Sequence, residues 1–137
     1  MDTITREKCE EAYEIVSKVA RNTGLIASEY FSNLTGNKVY LKPENMQVTG
    51  AYKIRGAYYK ISQLSDEERS KGLITASAGN HAQGVAYAAK AYGVKAVIVM
   101  PTTTPLIKVR LSGECQKLRK SMGHTVSFNA KELKVAE

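Results

Sequence analysis

The sequence predicts an α/β fold with a parallel sheet, built around one strand–helix–strand (βαβ) unit in residues 73–101. The apolar stretch 73–76 precedes a small polar loop, and an alanine-rich helix follows to about Tyr92. Gly93 ends that helix, and "KAVIVM" predicts a second buried strand. Strands joined by a crossover helix run parallel, with a right-handed connection.

The elements before this unit follow from apolar spacing. Residues 5–21 carry apolar side chains at helical spacing, which predicts an amphipathic helix. "NKVYLKPEN" (37–45) predicts a short strand that Pro43 closes. Apolar residues recur at helical spacing over 51–64, so a second helix is expected there, and "SDEERSKG" is its polar exit up to Gly72.

The C-terminal part of the sequence is less regular. "TTTPLIKV" (102–109) predicts the start of another helix, because Pro105 suits a first helical turn. A helix could continue to Leu118, although the Ser112-Gly113 pair weakens it. "HTVSFN" (124–129) predicts one short third strand.

Length and composition indicate a single globular domain of 137 residues, with 43% hydrophobic residues. The sequence has no apolar run near the roughly 20 residues that a membrane span needs, and no N-terminal signal pattern. A cytoplasmic protein without a membrane partner is therefore expected. Cys9 and Cys115 are far apart and outside any CxxC or Cys/His grouping, which favours free thiols and no metal site.

The formal charge of +7 raises the question of nucleic-acid binding. Basic residues are spread along the chain, only "KLRK" (117–120) is clustered, and no recognition motif accompanies it. We therefore expect no nucleic-acid partner. An anionic small-molecule ligand suits the same charge.

Lys53, in "TGAYKIRGAYYKI" (49–61), is the first candidate for chemistry. Lysine acts covalently when its amine forms a Schiff base with an aldehyde. The positive end of a helix dipole favours the neutral amine, and Lys53 falls within the first turn of the predicted helix. Most helix-face lysines are simply solvated. Gly56, one turn on, is costly inside a helix, so its presence indicates that something beside Lys53 needs space.

The second candidate is the loop "SAGNHAQG" (77–84) between a strand and a helix N-terminus. Backbone N–H groups at such a terminus bind anions, and small residues let a ligand approach closely. No GxGxxG and no P-loop pattern is present, which favours a carboxylate over a nucleotide phosphate. The alternative, weighted equally, is an ordinary turn with Asn80 as the helix cap. His81 taken alone is more typical of a structural histidine than of a base.

These segments together resemble fold-type II pyridoxal-phosphate enzymes. "TGAYKIRGA" and "SAGNHAQGVA" look like the lysine and asparagine-loop motifs of that family, and "VYLKPENMQVTG" and "VIVMPTTTPLIKV" match the surrounding pattern. The variant is similar to threonine ammonia-lyase (threonine dehydratase), with the serine racemase/serine dehydratase branch close by. "SAGNH" favours the dehydratase branch over the cysteine synthase branch. The resemblance runs from about Ala20 to Val109.

The resemblance implies a role for each matching residue. Lys53 is the Schiff-base lysine and the catalytic base, Tyr52 lies on the wall beside the cofactor ring, and Asn80 contacts the ring hydroxyl. The substrate carboxylate is received by Ser77, Ala78, Gly79, Asn80 and His81. The implied cofactor is pyridoxal 5'-phosphate, and the implied reaction converts L-threonine to 2-oxobutanoate and ammonia. L-serine would give pyruvate in the same way, and the full-length family is expected to be homo-oligomeric.

The family pattern also divides the chain. Residues 1–48 correspond to a helix and strand of the larger domain, residues 49–109 to the small domain with the lysine and asparagine loop, and residues 110–137 to a divergent tail, as a frameshift or truncation would produce. The family's glycine-rich turn, which holds the cofactor phosphate, is absent, because the ten glycines are all isolated. We therefore expect an incomplete, inactive fragment of the enzyme. The alternatives are a non-catalytic remnant or interaction module and a serine racemase/serine dehydratase-type pyridoxal-phosphate enzyme.

Overall fold

The computed structural model of the chain describes residues 4–101, 103–107 and 109, and the backbone of residues 124–128. Within these residues the chain forms helices, short strands and one 3₁₀ turn. The helices are α1 Arg6–Val16, α2 Glu29–Thr35, α3 Lys53–Ser62, α4 Asp66–Ser70 and α5 Asn80–Ala91. The strands are β1 Ile26–Ala27, β2 Tyr40–Leu41, β3 Leu73–Ala76, β4 Ala96–Met100 and β5 His124–Phe128, and the 3₁₀ turn spans Glu44–Met46.

The βαβ unit is confirmed. β3 and β4 pair in parallel, with Leu73 opposite Ala96 and Ala76 opposite Val99, and α5 connects them. β5 confirms the predicted third strand within 124–129, and it pairs antiparallel to β4. The sheet order is β3-β4-β5, so the fold is α/β with a parallel pair and one antiparallel neighbour.

Small side chains on α5 let this helix lie close to its two neighbours. One row of α5 packs on β4, and the buried cluster comprises Ala82, Ala86, Ala89, Ala96, Ile98 and Met100. The adjacent row packs on α3 in a cluster of Ala57, Ile61, Val85 and Ala88. Alanine keeps interaxial distances short because it places only a methyl group between the backbones. The core of the described residues therefore lies on both sides of α5.

The sheet is covered on one face only within the described part of the chain. Ala96, Ile98 and Met100 point to α5 and are buried, whereas Val99 is exposed on the opposite face. Ile74 of β3 is 77% exposed. The prediction that "KAVIVM" is a buried strand thus holds for one of its two faces.

Helix ends follow local side-chain caps. Thr5 caps α1 by accepting a hydrogen bond from the Lys8 N–H, and α1 ends at Val16, earlier than the predicted residue 21. Ser65 and Glu68 form a capping box that starts α4 inside the segment predicted as a polar exit. Such reciprocal caps stabilise a first turn.

The region before α3 contains more structure than the predicted strand at 37–45. That strand shortens to β2, which pairs antiparallel with β1. Between them lies α2, capped by Ser28 and ended by Gly36 at φ 69°. Glycine suits this left-handed position because it lacks a Cβ.

Some sequence predictions fall partly or wholly outside the described residues. The helix predicted from 102 is helical at Leu106, Ile107 and Val109, residues 103–105 are not helical, and 102, 108 and the residues after 109 lie outside the described part of the chain. Cys9 is a free, exposed thiol, while Cys115 lies outside the described residues. The predicted tail 110–137 is described only as the backbone of β5. Among the described helices, none is both long and apolar enough to cross a membrane.

Candidate functional site

Lys53 is the first residue of α3, directly after the N-cap residue Tyr52, and its side chain is exposed. The chain reaches this point through Gly50, which has φ 69° and donates its N–H to the Gln47 carbonyl at 2.8 Å. Ile54, which is fully buried, then anchors the first turn. The expected placement of Lys53 in the first turn of a helix is confirmed. Its amine is therefore held near the positive end of the α3 dipole.

The exposed face of α3 borders a cavity of about 600 Å³. Its walls come from α3, from β3 and from the first turns of α5, and the residues that matter to chemistry are Tyr52, Lys53, Gly56, Lys60 and His81. A Cβ built on Gly56 meets nothing within 4 Å. Neighbouring protein atoms therefore do not explain the glycine at this position. A ligand in the cavity would explain it, as the sequence predicted.

The loop 77–81 forms the junction between β3 and α5. The Ser77 hydroxyl accepts hydrogen bonds from the N–H groups of Gly79 and Ala82, both at 3.3 Å. The N-cap is Gly79, which makes no side-chain cap bond, and Asn80 is the first helical residue. The alternative in which Asn80 caps the helix is therefore wrong. The positive end of the α5 dipole lies at this junction, where an anion is favoured.

The structure brings some of the predicted site residues together. Tyr52, Lys53 and His81 line the same cavity. Ser77, Ala78, Gly79 and Asn80 precede His81 at the junction and are not among the residues that line it. Ala78, Asn80 and His81 are exposed, whereas Ser77 and Gly79 are half-buried. Lys53 thus begins α3, the junction leads into α5, and these two helices pack directly on each other.

A polar cluster before α3, which sequence analysis missed, holds the chain segment that leads to Lys53. The Arg55 guanidinium donates twice to the Glu44 carboxylate, with both N···O distances at 2.9 Å. This hydrogen-bonded pairing lowers the pKa of Glu44 and raises the pKa of Arg55. The buried Gln47 exchanges two 2.9 Å hydrogen bonds with the backbone of Arg21. The partners are distant in sequence, so no local pattern marks them.

The same segment separates two cavities. Tyr52 and Arg55 line the cavity beside Lys53 and also a second cavity of about 680 Å³. The second one is bordered by α1 and by the charged side chains of Arg21, Lys42 and Glu44. Tyr52 is 62% exposed, so its ring forms an accessible wall rather than part of the core.

The residues around Lys53 fit the aldehyde and ring of pyridoxal phosphate. An exposed primary amine faces a cavity large enough for a small aromatic ring, and Gly56 leaves open space one turn away. An amine so placed can form an imine with an aldehyde. For the phosphate of that group, the expected glycine-rich turn is not in this sequence. The described residues thus fit the reacting end of the cofactor.

Comparison with known proteins identifies the family of the chain. The model of a family described as "Pyridoxal-phosphate dependent enzyme" matches residues 16–133. The sequence resemblance was expected to run from about Ala20 to Val109. The family match begins slightly earlier and extends further, into the tail that was expected to diverge. It thus includes both the lysine and the 77–81 loop.

Two curated relatives carry threonine names. The chain is 53% identical over 106 residues to an L-threonine ammonia-lyase of Thermotoga maritima, covering 77% of this chain and 26% of the relative. It is 44% identical over 134 residues to a biosynthetic L-threonine dehydratase of Lactococcus lactis, covering 96% and 32%. The chain therefore spans about a quarter to a third of the length of these relatives.

A solved structure with a different activity in its name is also similar. Serine racemase from Dictyostelium discoideum superposes with a TM-score of 0.75 at 37% sequence identity. The match covers 81% of this chain and 36% of that one. The fold is thus shared by proteins with more than one named reaction.

Proposed function

Because the chain belongs to the pyridoxal-phosphate dependent enzyme family, we propose that it is the lysine-bearing portion of a threonine ammonia-lyase. The reaction would convert L-threonine to 2-oxobutanoate and ammonia, and L-serine to pyruvate and ammonia. The observation that carries the proposal is the exposed Lys53 at the N-terminus of α3, facing a cavity that Gly56 keeps open. The threonine names of the two relatives favour this substrate class.

Each predicted site residue has a role in this proposal. The cofactor, when bound, supplies the electron sink for loss of the α-proton. Lys53 would hold the cofactor through its amine, and the same amine would serve as the base that takes the α-proton of the substrate. Asn80 would hold the ring hydroxyl, since an amide both donates and accepts hydrogen bonds. Tyr52 forms the wall beside the ring.

The 77–81 junction would receive the substrate carboxylate. The N–H groups of Gly79 and Ala82 donate hydrogen bonds to the Ser77 hydroxyl, and these two bonds fix the shape of the turn. The substrate carboxylate would then lie at the α5 N-terminus, against Ala78, Gly79, Asn80 and His81. Gly79 has open space around its Cβ position, which would allow a carboxylate to approach the backbone.

The 137 residues assayed alone are proposed to turn over little or no threonine. They correspond to about a quarter to a third of the relatives, and no glycine-rich phosphate turn is present in them. Hydrogen bonds to a phosphate contribute about 1.5–3 kcal/mol each, so the loss of several weakens cofactor retention by orders of magnitude. Few molecules of the chain would then carry bound pyridoxal phosphate when a substrate molecule arrives.

The test separates covalent capture from turnover. The chain is incubated with increasing pyridoxal phosphate, reduced with borohydride and digested, and the modified lysine is mapped by mass spectrometry. We expect the adduct at Lys53, with half-saturation only at high cofactor concentration. Release of 2-oxobutanoate from L-threonine and of pyruvate from L-serine is followed in parallel, and neither is expected above background.

Lys60→Ala is the matched control, because Lys60 lies two turns along the same helix and lines the same cavity. Lys53→Ala should abolish the mapped adduct, while Lys60→Ala should retain it. Modification spread evenly over the surface lysines would contradict the proposed role of Lys53 and support a non-catalytic module. Keto-acid release from threonine would contradict the proposed inactivity.

Serine racemization is the second candidate, since the chain superposes on the serine racemase of Dictyostelium discoideum with a TM-score of 0.75. Chiral chromatography of L-serine incubations distinguishes the two reactions. D-serine without pyruvate would favour a racemase, whereas a threonine ammonia-lyase gives keto acid.

A further inference from the structure

Gly84, in the second turn of α5, lies against the backbone of the helix that carries Lys53. A Cβ added at Gly84 would lie 3.1 Å from the Lys53 carbonyl oxygen, 3.2 Å from the Lys53 carbonyl carbon and 3.3 Å from the Ile54 nitrogen. All three atoms belong to the backbone of the first turn of α3. Backbone atoms cannot rotate away as a flexible side chain can, so a larger residue here must displace that turn.

This crowding distinguishes Gly84 from the other described helical glycine. Gly56 has open space around its Cβ position, as does Gly79 at the N-cap of α5. Gly72 also meets a neighbour, but its φ of 80° already requires glycine. Gly84 has no such backbone requirement, because it lies within regular helix. Its small size is therefore needed for the contact with Lys53.

The surrounding core leaves the first turn of α3 little freedom to move. Ile54 is fully buried, and the cluster of Ala57, Ile61, Val85 and Ala88 fixes the next turns of α3 and α5 against each other. A displacement caused at position 84 is thus concentrated on the turn that bears Lys53. Close-packed interiors transmit small volume changes in this way.

We propose that Gly84 is a positioning residue that sets the approach of the Lys53 turn to the helix that presents the 77–81 junction. Gly84 follows Asn80 by one helical turn, so the contact at 84 fixes how far the lysine lies from the N-terminus of α5. This inference rests on the proposed function, in which both parts act on one cofactor and one substrate. Displacement of a reacting group by a fraction of an ångström reduces the rate of bond formation.

The experiment compares Gly84→Ala with Ala88→Gly in the full 137-residue chain. Ala88 lies one turn further along α5 and is fully buried in the contact with Ala57 and Ile61 of α3. Both variants alter the α3–α5 interface by one methyl group, in opposite senses. The first readout is the pyridoxal-phosphate concentration for half-maximal trapping at Lys53, measured across pH at matched folded fraction. We expect an increase on the order of tenfold for Gly84→Ala and little change for Ala88→Gly.

The second readout needs no cofactor. Reductive methylation with ¹³C-formaldehyde gives each lysine a resolved NMR signal, and Lys53→Arg assigns the signal of Lys53. We expect this signal to shift in Gly84→Ala and to stay in place in Ala88→Gly. An unchanged Lys53 signal with unchanged trapping in folded Gly84→Ala overturns the inference.

The two readouts distinguish a failure of the proposed function from a failure of the inference about Gly84. Wild-type protein that traps no adduct at Lys53 contradicts the proposed function, while the NMR signal still decides whether Gly84 positions the lysine. If Gly84→Ala does not fold, the double variant Gly84→Ala/Val85→Ala takes its place, because removing two methyl groups at 85 frees volume in the α3–α5 contact, where the two helices can readjust to the added methyl group. Val85→Ala alone is then the control, and equal trapping in the two variants overturns the inference.

Discussion

Two neighbouring regions use apolar residues in opposite ways. In residues 51–100 the side chains of Ile54, Ile98 and Met100 are almost completely buried between α3, α5 and β4. In residues 25–48 apolar side chains are nearly as frequent but most of them are exposed, with Tyr30 at 72% and Leu34 at 69%. The difference shows that apolar content alone does not form a core. Burial also requires a second layer of structure that covers these side chains. For residues 25–48, the described residues do not supply such a layer.

Polar contacts attach the exposed region to the packed one. The Glu44 carboxylate pairs with Arg55 of α3 and so joins the two regions, whereas Gln47 bonds to the backbone of Arg21, which precedes both. The α1 helix adds a contact near the other end of α3, where Gln63 donates to Glu11. Because the link between Glu44 and Arg55 is partly exposed, the two regions should respond differently to truncation of an apolar side chain.

The largest expected effect comes from Ile98→Ala. Removal of a fully buried isoleucine leaves a cavity between β4 and α5, so we expect a loss of about 3 kcal/mol in the free energy of unfolding. Leu34→Ala, at a side chain that is 69% exposed, should cost less than about 0.5 kcal/mol. Urea unfolding followed by circular dichroism measures both. Equal losses would show that Leu34 is buried in solution and would remove the contrast between the regions.

A smaller effect is expected from Glu44→Gln, which weakens the link between the regions. The hydrogen bonds from Arg55 are the main reason that the pKa of Glu44 is lowered. Arg55 is 36% exposed at its side chain, so solvent screens the pair, and we expect a loss of about 1 kcal/mol. Glu67→Gln removes an exposed pair with Lys71 and is the matched control, with no measurable loss expected.

The pH dependence follows from the direction of that pKa shift. A carboxyl whose pKa is lower in the folded state stabilises the fold while it is ionised, and its contribution disappears as the pH falls through the folded pKa. The stability difference between wild type and Glu44→Gln should therefore be present at pH 7 and shrink below about pH 4. A difference that stays constant down to pH 2 would show that the carboxylate charge is not responsible.

The smallest effect lies within the packed region. Hydrogen bonding to Tyr92, followed by partial burial, raises the pKa of Tyr58 to about 12. The two rings lie with centroids 4.9 Å apart, and the Arg69 guanidinium is over the Tyr92 ring. Since the neutral phenol is favoured in the folded state, its contribution is complete below pH 10 and is lost as the pH rises toward 12. Tyr58→Phe should cost about 0.5 kcal/mol at pH 7.

A spectrophotometric titration tests this pair directly. Ionisation of one tyrosine near pH 12 in wild type should be absent from the titration of Tyr58→Phe. Tyr13→Phe, at a ring that is 71% exposed, should leave that high-pH step in place. A step that survives in Tyr58→Phe would assign the raised pKa to another residue.

Sequence periodicity was sufficient for the packed region and insufficient for the exposed one. The βαβ unit, α3 and the placement of Lys53 in its first turn follow from apolar spacing, because residues 51–100 form their own core. The helix α2 was missed, although Ser28 and Gly36 at its ends are typical caps. The capping box at Ser65 and Glu68 was likewise present in the sequence and was assigned to a polar exit. Short elements without a buried stripe produce no periodicity to detect.

The site shows where single-sequence reasoning stops. Gly56 was singled out by its spacing from Lys53, and its open surroundings agree with the expected ring space. The crowding at Gly84 depends on how α5 crosses α3, which no local pattern specifies. The Glu44–Arg55 pair likewise arises only when the 3₁₀ turn and α3 come together. Contacts between segments that are distant in the sequence account for the features of the site that local sequence patterns did not predict.

The uncovered edge of β3 has a consequence for handling the protein. In the described part of the chain β3 pairs with β4 on one side only, and its outward Ile74 is largely exposed. An apolar strand with free backbone donors and acceptors is a template for adding strands from other molecules. We expect slow, concentration-dependent growth of intermolecular β-structure during storage. A lysine at position 74 would keep preparations monodisperse for longer.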